Sequence, residues 1–212
     1  MAPKRMEKIL ASVADYYSLK LAKHGESPRG VDWNGKESQV LRFEQLCKII
    51  DTCERFSLID LGCGYGALYE YMESHYKEFT YHGYDISQDM IEAAEKRYAG
   101  QHNARFTFSE EPQHEVDYGV ASGIFNVKLS FDDEKWREHL LTSLDILNRI
   151  SIKAFAFNCL TSYSDPEKMQ DYLYYADPCE LFDLCKRRYS RHVALLHDYG
   201  LYEFTILVKK RL

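Results

Sequence analysis

The chain has 212 residues, 45% of them apolar, which is enough for one well-buried α/β unit. Its formal net charge is −6, and Lys and Arg are scattered apart from Lys186-Arg187-Arg188 and Lys209-Lys210-Arg211, which argues against a nucleic acid partner. No run of about 18 apolar residues occurs, and MAPKRMEKILASVADYYSLKLAKHG lacks the apolar segment and cleavage site of an export signal, so no membrane insertion and a cytoplasmic location are expected.

The apolar spacing of Met6, Ile9, Leu10, Val13, Tyr17 and Leu21 predicts a helix over 5–22, which the Gly, Pro and Asn of HGESPRGVDWNGKES then break. Helical spacing returns in VLRFEQLCKII (40–50). FSLID (56–60) is a short β-type run that leads into LGCGYG and a further helix. A second strand is predicted in TYHGYDIS (80–87), a helix in DMIEAAEKRYAG (89–100) closed by Gly100, and a third strand in ARFTFSE (104–110). VDYGVASG (116–123), a helix over 133–150 and KAFAFNCL (153–160) continue the alternation. Strands and helices alternating at this length build a parallel sheet covered on both faces. The end differs, because VALLHDYGLYEFTILVKK (193–210) reads as two strands around an Asp-Tyr-Gly turn, an antiparallel pair. No repeat or linker divides the chain. The polar, tyrosine-rich loop 161–179 is expected over a ligand.

Cysteines occur at 47, 53, 63, 159, 179 and 185, none in C-x2-C spacing, so buried reduced thiols and no metal site are expected.

Glycines 62, 64 and 66 follow a strand that carries Asp60. They let the backbone turn tightly and approach a ligand, with the next helix presenting its N-terminal NH groups. Read as G-x-G-x-x-A with Ala67 last, the stretch also passes as a dinucleotide fingerprint, or as a purely structural turn. Asp60 separates the ligands: a carboxylate there repels a pyrophosphate and suits an ammonium group. Asp85, 19 residues after Gly66 at the end of the second strand, is placed to accept hydrogen bonds from both hydroxyls of a ribose. The ligand is then an adenosine joined to a cationic amino acid.

This combination resembles the class I S-adenosylmethionine-dependent methyltransferases, over roughly residues 55–212 in order and spacing. The resemblance implies a Rossmann-like doubly wound α/β fold, a seven-stranded sheet with an antiparallel C-terminal strand, carrying an N-terminal helical lid. The length and the lack of a linker give one domain over 1–212, with 56–212 as the cofactor-binding core that the resemblance covers and 1–55, outside it, as lid and substrate segment. The resemblance also implies S-adenosylmethionine as cofactor and S-adenosylhomocysteine as product. The methionine part would lie on Asp60, Gly62, Gly64 and Gly66, the ribose on Asp85, the adenine beside Ile86, and the sulfonium against Ala121, Ser122 and Gly123. The third strand often supplies an acid for the adenine amino group; Glu110 is assigned to it, with Glu111 the alternative register.

Methyl transfer is an in-line displacement, so alignment dominates and a base is needed only for a nucleophile of high pKa. Enzymes of this family that methylate adenine or cytosine amino groups carry a polar-Pro-Pro-aromatic sequence after strand four, where ASGIFN stands here. The carboxylates of the metal-dependent catechol enzymes and the Pro-Cys of cytosine C5 chemistry are also missing; Cys159 reads as a core residue. By elimination the acceptor is a small metabolite with an oxygen or nitrogen nucleophile, such as a sugar or specialised-metabolite intermediate. An RNA or protein methyltransferase and a non-catalytic cofactor-binding module are the rivals. His197, at the carboxyl end of the sixth strand, and His24, in the lid, are the candidate bases. Tyr17, Trp33, Asn126, Asn158 and Tyr163 are the candidate acceptor contacts, each with a structural alternative as packing or turn chemistry.

Overall fold

The computed structural model describes residues 3–210, with side chains from residue 7 onward, so the side chain of Met6 in the first helical pattern and Arg211 of the last basic cluster lie outside what is described. Among these residues the chain forms α1 (Pro3–His24), a 3-10 turn at Pro28–Val31, α2 (Lys36–Cys47), β1 (Phe56–Leu61), α3 (Ala67–His75), β2 (Phe79–Asp85), α4 (Gln88–Arg97) and β3 (Ala104–Phe108). There follow β4 (Val116–Ala121), α5 (Asp133–Ile150), β5 (Ser151–Leu160), a second 3-10 turn at Pro166–Lys168, α6 (Pro178–Arg188), β6 (His192–Leu196) and β7 (Glu203–Lys209).

The strands make one seven-stranded sheet in the order β3-β2-β1-β4-β5-β7-β6. Pairs among the first five strands are parallel, and β7 runs antiparallel to both β5 and β6. The sheet is therefore the doubly wound α/β architecture expected, with β7 the reversed strand. The order matters for function because β1 lies between β2 and β4, and the chain crosses to opposite faces on either side of it. Ligands bind at such a switch point, outside the carboxyl ends of the strands. Register brings those ends together: Asp60 lies opposite Gly83 of β2, and Leu61 opposite Ala121 of β4.

The central strands are buried on both faces and read as apolar runs, as a covered parallel sheet requires. One core cluster packs α2, α3 and α4 on the first face through Phe43, Leu46, Leu68, Tyr69 and Ile91. A second packs α5 and α6 on the other through Leu140, Leu144, Leu147 and Leu181. Side-chain caps set the helix starts: Ser87 Oγ accepts from Met90 N at 3.2 Å, and Asp177 Oδ1 from Cys179 N at 2.8 Å with Pro178 in the first turn.

A third, smaller cluster fastens α1 across the carboxyl edge of the sheet. Ile9 and Val13 pack on the fully buried Trp136 of α5, with Tyr17 and Ile86 against them, and Trp136 Nε1 donates to Phe125 O at 2.7 Å. Truncating so large a buried ring costs about 3–5 kcal/mol, so Trp136 is one anchor of α1, beside the bonds of Tyr16 and Lys20 to Asp32 and of Ser18 to Ser87. Of the six free cysteines, 47, 63, 159 and 185 are buried as expected, whereas Cys53 and Cys179 are exposed. No described helix is long and apolar enough to cross a membrane.

Candidate active site

A cleft of about 250 Å³ opens at the switch point, floored by the β1–α3 loop and the ends of β2 and β4, and covered by α1 and the segment around Val31 and Trp33. The glycine loop makes its floor. Gly62, Gly64 and Gly66 have φ of +79°, +55° and +82°, a region that side-chain-bearing residues rarely enter. At Gly62 a Cβ would also stand 2.1 Å from Ile124 Cγ2, and at Gly66 2.6 Å from Tyr98 Cε2, so the turn is both left-handed and tightly packed.

Two carboxylates face this loop. Asp85 braces it: Oδ2 accepts from Gly64 N at 2.8 Å and Oδ1 from Ser87 N at 2.8 Å, and burial raises its carboxyl pKa above the ordinary value. Each oxygen keeps lone pairs beyond these single bonds. Asp60 is more deeply placed, at 2% exposure, with Oδ2 accepting from Tyr81 Oη at 2.6 Å and Oδ1 buried without a partner. Burial pushes its pKa up to about 7, partly offset by the Tyr81 bond and reinforced by the negative charge of Asp85. A buried carboxylate oxygen with no donor, on the wall of a cleft, is the acceptor that an ammonium group would satisfy.

Of the residues expected at the cofactor, Asp60, Gly62, Gly64, Asp85, Ile86, Glu110 and Ser122 line the cleft. Gly66 and Ala121 stand behind its wall, Gly66 against Tyr98 and Phe106 and Ala121 fully buried at the end of β4. Glu111 lines the cleft beside Glu110 and also receives Arg149 at 2.6 Å.

Among the candidate acceptor contacts, Tyr17 and Trp33 line the cleft, whereas Asn126, Asn158 and Tyr163 do not. Both asparagines are used internally. Asn158 Oδ1 accepts from Gly123 N at 2.7 Å and its amide nitrogen donates to Ser122 Oγ at 3.4 Å, so it holds the loop after β4. Asn126 Oδ1 accepts from Leu160 N at 3.1 Å, and its Nδ2 donates to Glu203 Oε1 at 3.4 Å. Tyr163 is 66% exposed and lies beside His197, the ring centroids 6.0 Å apart.

Neither expected histidine lines the cleft. His197 does follow β6 at the carboxyl edge, but β6 is the outer strand, and β5 and β7 separate it from β4. His24 ends α1, its carbonyl accepting from Ser27 Oγ at 2.9 Å. The histidine that does line the cleft is His139, on the inner face of α5 with Thr142, Ser143 and Ile146. It is 8% exposed, lies 5.0 Å from the Trp136 ring, and has no hydrogen-bond partner among the described residues. Burial lowers its pKa to about 4, so the ring is neutral at physiological pH. Gln39 and Phe43 of α2 also line the cleft. The positions 139, 142, 143 and 146 share one helix face, a polar interruption of an apolar stripe that is visible in the sequence only once that face is known to point at a cleft.

Comparison with known proteins agrees with this geometry. A family described as "Methyltransferase domain" matches residues 59–144, which span the glycine loop, Asp85 and the first two thirds of α5. Rv1506c of Mycobacterium tuberculosis (strain ATCC 25618 / H37Rv), a protein named as a methyltransferase, is 56% identical over 163 residues, 77% of this chain and 98% of that one. The fold is similar to magnesium protoporphyrin IX methyltransferase from Synechocystis PCC 6803, solved with S-adenosylmethionine bound, at a TM-score of 0.66 and 12% identity over 95% of this chain and 96% of that one. It is similar also to the N-methyltransferase NodS from Bradyrhizobium japonicum WM9, solved with S-adenosylhomocysteine, at a TM-score of 0.63 and 12% identity over 94% of this chain and 98% of that one. The glycine turn, its two carboxylates, the reversed last strand and the close relative together make this chain a member of the class I S-adenosylmethionine-dependent methyltransferases.

Proposed function

We propose that this methyltransferase acts on an oxygen or nitrogen of a small-molecule acceptor, within a single domain whose α1 and Val31–Trp33 segment form the lid. The observation that carries the reading is the roof. Leu10, Val13 and Tyr17 of α1, with Val31 and Trp33, line one side of a half-open, largely apolar cleft of about 250 Å³ over the glycine loop, a concave site on the scale of a small molecule rather than a groove that runs along a polymer. The Synechocystis relative by fold acts on a small molecule, magnesium protoporphyrin IX, in keeping with this reading.

Within the cleft, Asp60 Oδ1 would pair with the cofactor's ammonium group and Asp85 would take the ribose hydroxyls on its remaining lone pairs. Ile86 would flank the adenine, Glu110 would meet its amino group, and Ser122 would lie toward the reacting end. S-adenosylmethionine supplies an electrophilic methyl group on a sulfonium. The chain's own work is to align the acceptor, exclude water and take up a proton where the acceptor is a hydroxyl. For that last role His139 takes the place of His24 and His197, because it is neutral and opens into the cleft. The α2 helix belongs to the sheet packing, so only its Gln39 and Phe43 reach the site from the first 55 residues beyond the lid.

The test is to incubate the purified protein with methyl-labelled S-adenosylmethionine and, separately, with low-mass, RNA and protein fractions of a cell extract. Label in the low-mass fraction is expected; label confined to RNA or protein would overturn the reading.

A further inference from the structure

Trp33 presents a problem of positioning. It stands in the irregular segment between the first 3-10 turn and α2, directly after Asp32, whose φ of 60° is left-handed. Its backbone is tied by Trp33 N donating to Pro28 O at 2.8 Å, but no helix or strand dictates where the indole points. Yet the ring lines the cleft.

Three contacts hold it: the Phe43 ring of α2, with centroids 5.8 Å apart, and two that are tied to the sheet. The guanidinium of Arg42 lies over the indole, 4.7 Å from the ring centroid, and Gly123 lies so close that a Cβ there would stand 3.0 Å from Trp33 Cζ2. Trp33 lines the cleft and Arg42 does not, so the guanidinium contact lies outside the ligand space. The Arg42 and Gly123 contacts are each fixed to the sheet. Arg42 Nε and Nη2 donate to the two oxygens of Glu203, at the start of β7, at 2.7 Å each, and Nη1 donates to Ser38 O at 2.8 Å. Gly123 is pinned by Asn158 at the end of β5. Both members of the ion pair are buried, with side-chain exposures of 9% and 2%. A buried pair of this kind adds little net stability over well-packed apolar residues, so its presence calls for another account. The planar fork of arginine supplies one: it can bind a carboxylate at both ends and stack on an aromatic face at the same time, which lysine cannot.

We propose that Arg42 and Glu203 are positioning residues whose buried ion pair holds the Trp33 indole as the wall on which the acceptor's ring packs. The proposal rests on the reading of the cleft as a small-molecule acceptor site, and it names the kind of acceptor that suits it: one that presents a flat aromatic or pyranose face. Arg42 and Glu203 do not line the cleft, so their route to the acceptor runs through Trp33; Glu203 also receives Asn126 Nδ2 at 3.4 Å.

The test uses the full chain labelled with 5-fluorotryptophan, whose two resonances, Trp33 and Trp136, are assigned with Trp33→Phe. The probe is S-adenosylhomocysteine, and no acceptor is needed. In the double variant Arg42→Met/Glu203→Gln both charges are removed together, so no unpaired buried charge remains to unfold the chain. The Trp33 resonance is expected to shift and broaden, the Trp136 resonance to stay, and S-adenosylhomocysteine affinity to change by less than about threefold. An unmoved Trp33 resonance in the folded double variant would overturn the proposal. Should the double variant not fold, Arg42→Lys decides: it keeps the charge but loses the flat fork, so a broadened Trp33 resonance supports the proposal and an unchanged one overturns it. A displaced Trp33 together with label found only in RNA or protein would instead sink the acceptor reading and leave the positioning role standing.

Discussion

The floor of the cleft and its roof are built on different principles. The floor is backbone: three left-handed glycines, strand ends in register, and a loop whose NH groups are tied to Asp85 and the Tyr84 carbonyl. The roof is side chains: Ile9 and Val13 on Trp136 of α5, and Trp33 against Arg42, which is itself held by Glu203, 161 residues further along the chain. A floor of this kind admits one class of cofactor and few substitutions. A roof of this kind can be rebuilt around another acceptor while the floor stays as it is. The difference predicts a separation of phenotypes, with floor variants losing cofactor and roof and α5 variants losing turnover.

The largest expected effect lies on the α5 side. If the accepting atom is a hydroxyl, His139→Ala should lower kcat by at least about a hundredfold, the lower end for general base catalysis, with S-adenosylhomocysteine affinity little changed. Because burial holds the imidazole at about pKa 4, the wild-type rate should be flat for this group from pH 5 to pH 8 rather than fall near 6.5. A steady-state pH profile of both proteins checks this, and an inflection near 6.5 that survives in His139→Ala would point to a different base.

On the floor, Asp85→Ala should weaken S-adenosylhomocysteine binding by about 1.5–3 kcal/mol for each hydrogen bond lost to the carboxylate. It should also lower Tm, since Gly64 N and Ser87 N lose their acceptor at the same time. Calorimetry and thermal melts measure the two effects separately; a fall in Tm with unchanged affinity would make Asp85 a brace alone.

A smaller effect is set by pH. The Asp60 carboxyl has a pKa of about 7 in the fold, against about 3.9 in an unfolded chain. The fold therefore favours its protonated form, and its contribution to stability is fully present below about pH 4 and lost as pH rises through about 7. An ammonium group placed at Oδ1 reverses the preference. S-adenosylhomocysteine should accordingly bind more tightly at pH 8 than at pH 6 and release protons on binding, and Asp60→Asn should abolish both trends. Titrations in buffers of different ionisation enthalpy read the proton release directly. The smallest effect is expected from His197→Ala and His24→Ala, which lie outside the cleft and should leave kcat within about twofold of wild type in the same assay.

How much of this the sequence shows follows the same division. Asp60, the three glycines and Asp85 are legible because a backbone conformation demands particular residues at particular spacings, and local spacing is what a sequence displays. Helix α5 is legible to the residue, since its apolar stripe is long and Asp132 caps it. The start of α2 is not: Lys36, Glu37 and Ser38 form a polar first turn with no apolar period, so the pattern begins only at Val40. The start of β5 is missed for another reason, because Ser151 follows Ile150 of α5 with no connecting residue. His139 and Arg42 are illegible in principle, since their meaning depends on which face of a helix meets a cleft and which strand, 161 residues away, supplies the partner. Asn126 and Asn158 show the converse: polar residues near strand ends read as ligand contacts until their partners turn out to be the chain's own amides.

The division between floor and roof is tested most directly by calorimetric titration of S-adenosylhomocysteine into wild type, Asp85→Ala and Trp33→Ala. The account predicts at least about a tenfold loss of affinity in Asp85→Ala and a change within about threefold in Trp33→Ala. Equal losses in both, or a loss confined to Trp33→Ala, would contradict it.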